Sequence, residues 1–541
     1  MNKRAFQIVT LPARKFLALT VLIVTMGAMV NAGYMYYCIH AWIPPMSLVI
    51  QFTRAIILSW VVVWIYAGLR RLSNIAAKVW ISLVIVSLSI NCALDLFVYQ
   101  IYKIHFTHDF LVAIMDSCRV EVRDFLSAYL SLPYIFSVLC CAFVFWLIYR
   151  ISEYIQPLIR KSIDAHLKLW IISVSLTLTE CMWINLTYNH VMGANTDIVS
   201  KMISVSKYRP AQKITALLPD VTKNSSEAPP AEIVIIVGES HSKDHSQIYG
   251  YPLPTQPKLS SMANDSLIIV FNHAKTPSSY TVGTFREIIG TWNHTLPEDS
   301  MWYECPTFLQ VADVAGYNTA WISNQNRYGL GDSPIGIMAE TADTSIWSSK
   351  VFDKGLNYDE TLLPLINERV NYQFNKKLYL IHLVGNHMLF NDRFPNDRAY
   401  FHTKDYGRYH EWQRQTMADY DNSVLYNDSV LTEIFNIFMN RDAMVIYFSD
   451  HGEDLYQSSD VFYGHGQSRG TKSYFITENI PFIVFVGGTF KKKHPELYRR
   501  MLHSVDDTIC TTDLTYTLMD IMGLELKGHP KARSHSFFKD R

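Results

Sequence analysis

The chain has 541 residues and 62.3 kDa, with 48 basic and 48 acidic side chains and a formal net charge of +0. A single hydrophobic core rarely grows to that length, so at least two domains are expected. Balanced charge without a long basic tract argues against nucleic acid as a partner, and the 8 cysteines contain no CxxC metal knuckle.

Apolar segments crowd residues 16–39, 47–68, 80–101, 126–149 and 169–188, and nothing of comparable length follows residue 190. Each has about 20 residues or more, enough to cross a hydrocarbon core of roughly 30 Å as helix. The pattern predicts a five-helix transmembrane bundle over residues 1–189. Asn91, Asp95, Glu180 and Asn185 interrupt the apolar runs; ionisable groups at that depth are expected to face the bundle or lie near the interface. Lys3, Arg4, Arg14 and Lys15 precede the first segment, Arg70, Arg71 and Lys78 separate the second from the third, and Arg150, Arg160, Lys161 and Lys168 separate the fourth from the fifth. These basic stretches place the N-terminus in the cytoplasm, and five spans that begin inside must end outside. A cleaved signal peptide is not expected, because the first apolar run is long and further spans follow it.

The large remainder is therefore expected to be extracytoplasmic. Its two cysteines, Cys305 and Cys510, allow one disulfide without establishing it. Residues 190–231 read as a connector, since Pro210, Pro219, Pro229 and Pro230 with Ser225 and Ser226 oppose one long regular element. An exported domain is expected over 232–541. Three apolar, β-rich runs lie in it: Ile233 to Val237, Tyr379 to Val384 and Met444 to Phe448. Continuous runs of this kind suit central strands covered on both faces, and helical patterns around 415–438 and 512–523 supply covering layers. The prediction is an α/β domain with a mostly parallel or mixed central sheet. The short run Lys491, Lys492, Lys493 reads as a solvated turn or as an approach to anionic lipid.

Each run leads into residues that bind metals or move protons. The first enters Gly238-Glu239-Ser240, the second Gly385-Asn386-His387, and the third Ser449-Asp450-His451, with His465 a little further on. In an open α/β sheet, groups beyond the carboxyl ends of the strands converge in one crevice. A single buried His or capping Asp is ordinarily structural, but five such side chains at strand ends are not readily dismissed. Their mixture of carboxylate and imidazole suits zinc, with manganese as the alternative. Lys275-Thr-Pro-Ser-Ser-Tyr-Thr-Val-Gly-Thr284 adds a dense set of hydroxyls. Metal coordination can turn a hydroxyl, a poor nucleophile at its free pKa, into a competent one.

On these residues the chain resembles the membrane phosphoethanolamine transferases of Gram-negative bacteria, in the alkaline phosphatase and sulfatase superfamily. The likeness rests on Gly238-Glu-Ser with Asp244-His and Tyr249-Gly-Tyr; Trp321-Ile-Ser-Asn-Gln325; His382-Leu-Val-Gly-Asn-His387; Tyr420-Asp-Asn and Tyr426-Asn-Asp428; Ser449-Asp-His-Gly-Glu453; and Gly464-His-Gly466. It implies an alkaline-phosphatase-like exported domain in which Glu239, Asp450 and His451 match the principal zinc ligands. Thr281 looks like the family's threonine nucleophile, close to the metal, with Ser278, Ser279 and Thr284 as local competitors or plain turn and capping hydroxyls. His387 and His465 match histidines associated with substrate phosphate or a second metal. Two departures stand out. Met388-Leu389 follows His387 where Gly-Pro is frequent in relatives, and His241-Ser242 beside Glu239 is unusual, being either support for the site or ordinary surface packing.

The resemblance implies a phosphoethanolamine transferase of the bacterial inner membrane with its catalytic domain in the periplasm. Its donor would be phosphatidylethanolamine. Its acceptor would be lipopolysaccharide, at lipid A or core, or a periplasmic glucan, reached through a covalent intermediate on Thr281. A phosphoglycerol transferase and a non-catalytic envelope scaffold that binds glycolipid remain the alternatives. A sulfatase activity is disfavoured, because the hydroxyl segment has no Cys/Ser-x-Pro-x-Arg sequence.

Overall fold

The structure is a computed structural model; it describes residues 228–290, 306–325, 334–348, 358–460 and 469–526, with 221–223, 327, 463–466 and 534–539, and scattered positions between 69 and 146. The chain divides into two units, residues 1–112 with 126–202, and residues 113–125 with 203–541. In the first unit the expected spans 16–39, 47–68 and 169–188 lie outside the described residues. The spans 80–101 and 126–149 are represented by isolated helical positions, among which Leu83, Val86, Leu139, Phe143 and Trp146 are exposed. No helix among the described residues is long and apolar enough to cross a membrane.

The second unit is built from strands β1 (Val221–Lys223), β2 (Glu232–Gly238), β3 (Ile268–Val270), β4 (His273–Lys275), β5 (Asn318–Ser323), β6 (Thr344–Trp347), β7 (Lys377–His382), β8 (Ala443–Ser449), β9 (Asp454–Leu455), β10 (Tyr463–Gly464), β11 (Phe482–Val486), β12 (Thr508–Cys510) and β13 (Leu524–Leu526). The helices that matter here are α1 (Pro257–Asn264), α2 (Thr281–Ile288), α3 (Phe308–Val314), α4 (Leu362–Val370), α5 (Glu411–Phe438), α6 (Lys472–Thr477), α7 (Phe490–Lys493) and α8 (Leu514–Met522).

Seven strands form one mixed sheet in the order β3-β11-β8-β2-β7-β5-β6. The five from β8 to β6 run parallel, and β11 is antiparallel to both its neighbours. All of β2 is buried because alternate residues feed two cores. Ile233, Ile235 and Val237 join Phe285, Phe308 and Leu518 on one face, so α2, α3 and α8 cover that side. Val234 and Ile236 join Leu259, Ile366, Ile434 and Phe435 on the other, covered by α1, α4 and α5. This double covering is why the strand sequences are apolar without alternation.

Two boundaries differ from those expected. Val221–Lys223, within the segment read as connector, is a strand paired antiparallel with Leu524–Leu526, so the domain takes in part of that segment. The run expected as Tyr379 to Val384 is strand only over Lys377–His382. The buried Asp359 carboxylate accepts the amides of Val384 (2.9 Å) and Gly385 (2.7 Å), and these amides are thereby withdrawn from the ladder. Cys510 is a free thiol, while Cys305 lies outside the described residues.

A long-range cap ties α5 to α1. Gln256 precedes α1 but gives no side-chain cap. Instead the Asp428 carboxylate, from mid-α5, accepts the amides of Lys258 (3.0 Å) and Leu259 (2.8 Å). These are donors that the first helical turn would otherwise leave unpaired. Asp428→Ala is expected to lower unfolding free energy by about 1–3 kcal/mol, measured as a reduced denaturant midpoint, with a smaller loss in Asp428→Asn.

Candidate metal centre and active site

The register of β2 against β8 sets Gly238 opposite Ser449, so Glu239 and Asp450 leave the sheet side by side although far apart in sequence. Ser240, at φ 54°, turns the chain back so that its amide donates to Asp450 Oδ1 (3.2 Å). The His451 amide donates to the same oxygen (2.7 Å). His451 Nε2 stands 3.2 Å from Glu239 Oε1 and 3.4 Å from Asp450 Oδ2. Thr281, the first residue of α2, places Oγ1 3.0 Å from Glu239 Oε2 and 3.5 Å from His451 Nε2. The four residues matched to metal ligands therefore share one small volume, and Glu239, Asp450 and His451 are buried.

This donor set fits a divalent cation. Asp450 Oδ2 is buried without a hydrogen bond, which is costly unless another group satisfies it. Burial and the Glu239 charge push the Asp450 carboxyl up to about 8. Burial likewise opposes ionisation of Glu239, but the His451 hydrogen bond and the charges of neighbouring histidines outweigh it and hold that carboxyl below its usual range. His451 is pushed up to about 10, because the two carboxylates override its burial. Protons thus accumulate where the ligands converge, and a cation would supply that positive charge instead. One atom from each of Glu239, Asp450 and His451 lies within 4.8 Å of the others, close enough for a single ion to contact all three.

The two remaining predicted histidines lie close by. His465 Nδ1 is 2.9 Å from Glu453 Oε2, and its ring centre is 4.2 Å from that of His451 and 6.5 Å from that of His387. His465 therefore groups with His451 and Glu453 as a second possible set of metal ligands, with His387 further away. Burial, against the pull of Glu239, lowers His387 to about 4 and so favours its neutral form near pH 7. Its loop passes tightly over the site. A Cβ at Gly385, which has φ +51°, would lie 2.8 Å from both the amide nitrogen and the carbonyl oxygen of Glu239.

The competing hydroxyls are placed differently. Thr284 Oγ1 points to the Asp450 carbonyl (2.9 Å), Ser278 packs against Gly283, and buried Ser279 accepts the Gly466 amide on its carbonyl (2.8 Å). None caps α2, whose N-cap is Tyr280. His241 and Ser242 are buried, which excludes the surface-packing alternative of the two readings. His241 Nδ1 is 2.6 Å from Tyr447 Oη and its Nε2 is 3.0 Å from Ser246 Oγ. The lysine run lies at the other end of the sheet. It forms α7, just after β11, whose end at Val486 pairs with Met444 near the start of β8.

Two side chains near the ligands went unassigned in the sequence. Gln325 donates to Glu239 Oε2 (3.3 Å) and to the Leu383 carbonyl (3.0 Å), and Glu453 holds His465. Both close motifs quoted above, so the available signal was a polar residue just past a strand.

The sulfatase family profile matches residues 231–524. The chain belongs to the sulfatase family. The resemblance to phosphoethanolamine transferases also holds. Phosphoethanolamine transferase EptC of Escherichia coli (strain K12) is 25% identical over 505 residues, covering 86% of this chain and 82% of that protein. Among solved structures, the integral membrane lipooligosaccharide phosphoethanolamine transferase A of Neisseria meningitidis shares the fold with TM-score 0.62 at 16% identity. That likeness covers 98% of this chain and 97% of the other. The C-terminal periplasmic domain of EptC from Escherichia coli, solved in complex with Zn, aligns with TM-score 0.52 at 24% identity over 59% of this chain and 90% of that one. This sulfatase-family domain is thus an α/β domain with a mixed central sheet, a fold it shares with the periplasmic domain of EptC.

Chelation of the purified protein is expected to lower its melting temperature, and zinc at about 100 times its dissociation constant to restore about 2.7 kcal/mol. Asp450→Asn should remain folded with little response to chelator or zinc. A wild-type melting curve indifferent to both would show that the ligand set binds no ion.

Proposed function

We propose that this protein transfers phosphoethanolamine from phosphatidylethanolamine to an envelope glycolipid or glycan through a covalent intermediate on Thr281. The observation that carries the reading is the Thr281 hydroxyl, which meets Glu239 and His451 at 3.0 and 3.5 Å. The related phosphoethanolamine transferases, matched over most of the chain, supply the headgroup.

Glu239, Asp450 and His451 would hold zinc, with Thr281 beside it; manganese is the alternative, and the mixture of carboxylate and imidazole suits zinc. When bound, the ion supplies positive charge that stabilises an alkoxide and the charge developing on phosphoryl oxygens. Thr281 sits at the amino end of α2, where backbone amides and the helix dipole also favour negative charge. In the first displacement Thr281 Oγ1 forms a bond to phosphorus, and the bond from phosphorus to the diacylglycerol oxygen breaks. The threonine proton is lost and the departing oxygen gains one. In the second, an acceptor oxygen attacks the same phosphorus and Thr281 is released. His387 and His465 would bind phosphoryl oxygens or move these protons, either alone or around a second metal. Glu453, bonded to His465 Nδ1, fixes that ring and leaves Nε2 for the substrate.

Residues 1–189 would form the transmembrane domain, with 190–231 as an interfacial connector whose strand β1 joins the periplasmic catalytic domain of 232–541. The apolar segments, the basic-residue asymmetry and the exposed apolar side chains at described helical positions support inner-membrane residence. Anchoring would confine the enzyme to the membrane that holds its donor lipid and replace encounters in three dimensions by proximity.

Incubating the zinc-loaded protein with phosphatidylethanolamine should give a phosphoethanolamine mass on the peptide containing Thr281. Thr281→Ala should retain zinc and give none. A phosphoglycerol mass from phosphatidylglycerol would favour the rival transferase, and no adduct from either lipid the scaffold reading. The acceptor should appear as the glycolipid or glucan that loses a phosphoethanolamine mass in deletion cells and regains it on complementation.

A further inference from the structure

Asp450 is tied at every polar atom except one. Its amide donates to the Gly238 carbonyl (3.0 Å) and its Oδ1 accepts the amides of Ser240 and His451. Its carbonyl oxygen accepts two side-chain hydroxyls, from Thr276 and from Thr284 (2.9 Å), which lie 3.0 Å from each other. Only Oδ2 is left over, next to the other ligand atoms. A carbonyl has two lone pairs, so both hydroxyls can be accommodated.

Thr284 stands three residues after Thr281 on α2, hence on the same side of the helix. A threonine inside a helix ordinarily turns its hydroxyl to a carbonyl three or four residues earlier. This one bonds across 166 positions to Asp450, and it is fully buried. Thr276 reaches the same carbonyl from the loop that follows β4. The helix carrying the Thr281 hydroxyl is therefore fastened to the backbone of the residue that presents Oδ2.

We propose that Thr284 is a positioning residue: its hydroxyl, with that of Thr276, fixes the Thr281 oxygen relative to the Glu239, Asp450 and His451 cluster and so governs the rate of phosphoryl transfer without contributing to lipid affinity. The inference rests on Thr281 as nucleophile. Removing the hydroxyl frees α2 to shift, while the Asp450 carbonyl keeps Thr276 as a partner and all three ligand side chains remain. A displacement of about 1 Å can cost on the order of 100-fold in rate.

The test is the rate of adduct formation by zinc-loaded full-length protein, followed against the mole fraction of phosphatidylethanolamine in mixed micelles. Thr284→Val should bind zinc normally, lose about 10- to 100-fold in maximal rate, and keep its half-saturating mole fraction within about twofold. Thr284→Ser should recover to within about threefold of the wild type. A Val variant with wild-type maximal rate overturns the proposal. So does a Ser variant as slow as the Val variant, because packing of the methyl group would then be what matters. If Thr284→Val does not fold, Thr284→Ala, which adds no bulk, is read against the same limits. Adduct persisting in Thr281→Ala overturns the nucleophile and this inference with it. Loss of adduct in Thr281→Ala beside an unimpaired Thr284 variant overturns this inference alone.

Discussion

Parallel pairing of β2 with β8, in the register that sets Gly238 against Ser449, is the constraint from which the site follows. Side chains alternate along a strand, so slipping one residue would send Glu239 to the opposite face. The cores prevent that slip, because Ile233, Ile235 and Val237 fill one layer while Val234 and Ile236 fill the other. The register in turn forces two buried carboxylates together. Two unit charges about 4 Å apart repel by about 4 kcal/mol at an effective dielectric constant of 20, a large fraction of the 5–15 kcal/mol that holds a typical domain together. The apolar packing that makes the strands stable thus creates a local demand for positive charge.

Around that demand the chain builds a buried polar frame. Tyr420 Oη donates to the Ser240 carbonyl and accepts the Ser242 amide, both at 2.7 Å. This double contact holds the segment in which Ser240 has its left-handed conformation. One residue along α5, Asp421 accepts hydrogen bonds from His245 Nδ1 (2.6 Å), Tyr251 Oη (2.7 Å) and Tyr406 Oη. His241 closes the frame between Tyr447 and Ser246, and burial pushes it down to about 3, so it is held neutral. Satisfied networks of this kind rigidify a site, whereas a half-satisfied one is costly. Tyr420 acts in this way on the turn after Glu239, with the Asp421–His245 pair packed behind it.

The elements that were legible are those whose signal is local. Uninterrupted apolar runs marked β2, β7 and β8, and polar residues directly after them marked Glu239, Asp450 and His451, which the fold brings together because a strand's carboxyl end is where a parallel sheet opens. Helical periodicity likewise located α5 and α8. What sequence left obscure depends on contacts between distant segments. Asp359 draws the amides of Val384 and Gly385 away from β7, Asp428 caps α1 from α5, and Val221–Lys223 finds β13 some 300 residues on. A carboxylate that caps a remote helix leaves no pattern at its own position. His241 and Ser242 stood open between support for the site and surface packing, because their burial depends on distant partners, Tyr447 for His241 and Tyr420 for Ser242. Gln325 and Glu453 were visible as motif residues, but their duty toward Glu239 and His465 is a matter of distance alone.

The loop after His387 carries strained backbone next to the site. Leu389 lies at φ 59° and ψ 61°, a left-handed conformation that disfavours a side chain with a Cβ by roughly 1–2 kcal/mol. Such strain persists only when the surroundings determine it. Here Phe390 is buried edge-on against Tyr420, at 4.9 Å between ring centres, and meets Tyr463 at 6.1 Å. Met388 is also buried, and the Asp392 amide closes on the Leu389 carbonyl at 2.8 Å. Tyr420 steadies the turn after Glu239, and Tyr463 directly precedes the Gly464-His465 segment. The aromatic contacts of Phe390 therefore join the His387 loop to both the ligand turn and the His465 arm. A bulky Met-Leu pair is tolerated beside the site because the neighbouring phenylalanine anchors the strained backbone that it requires.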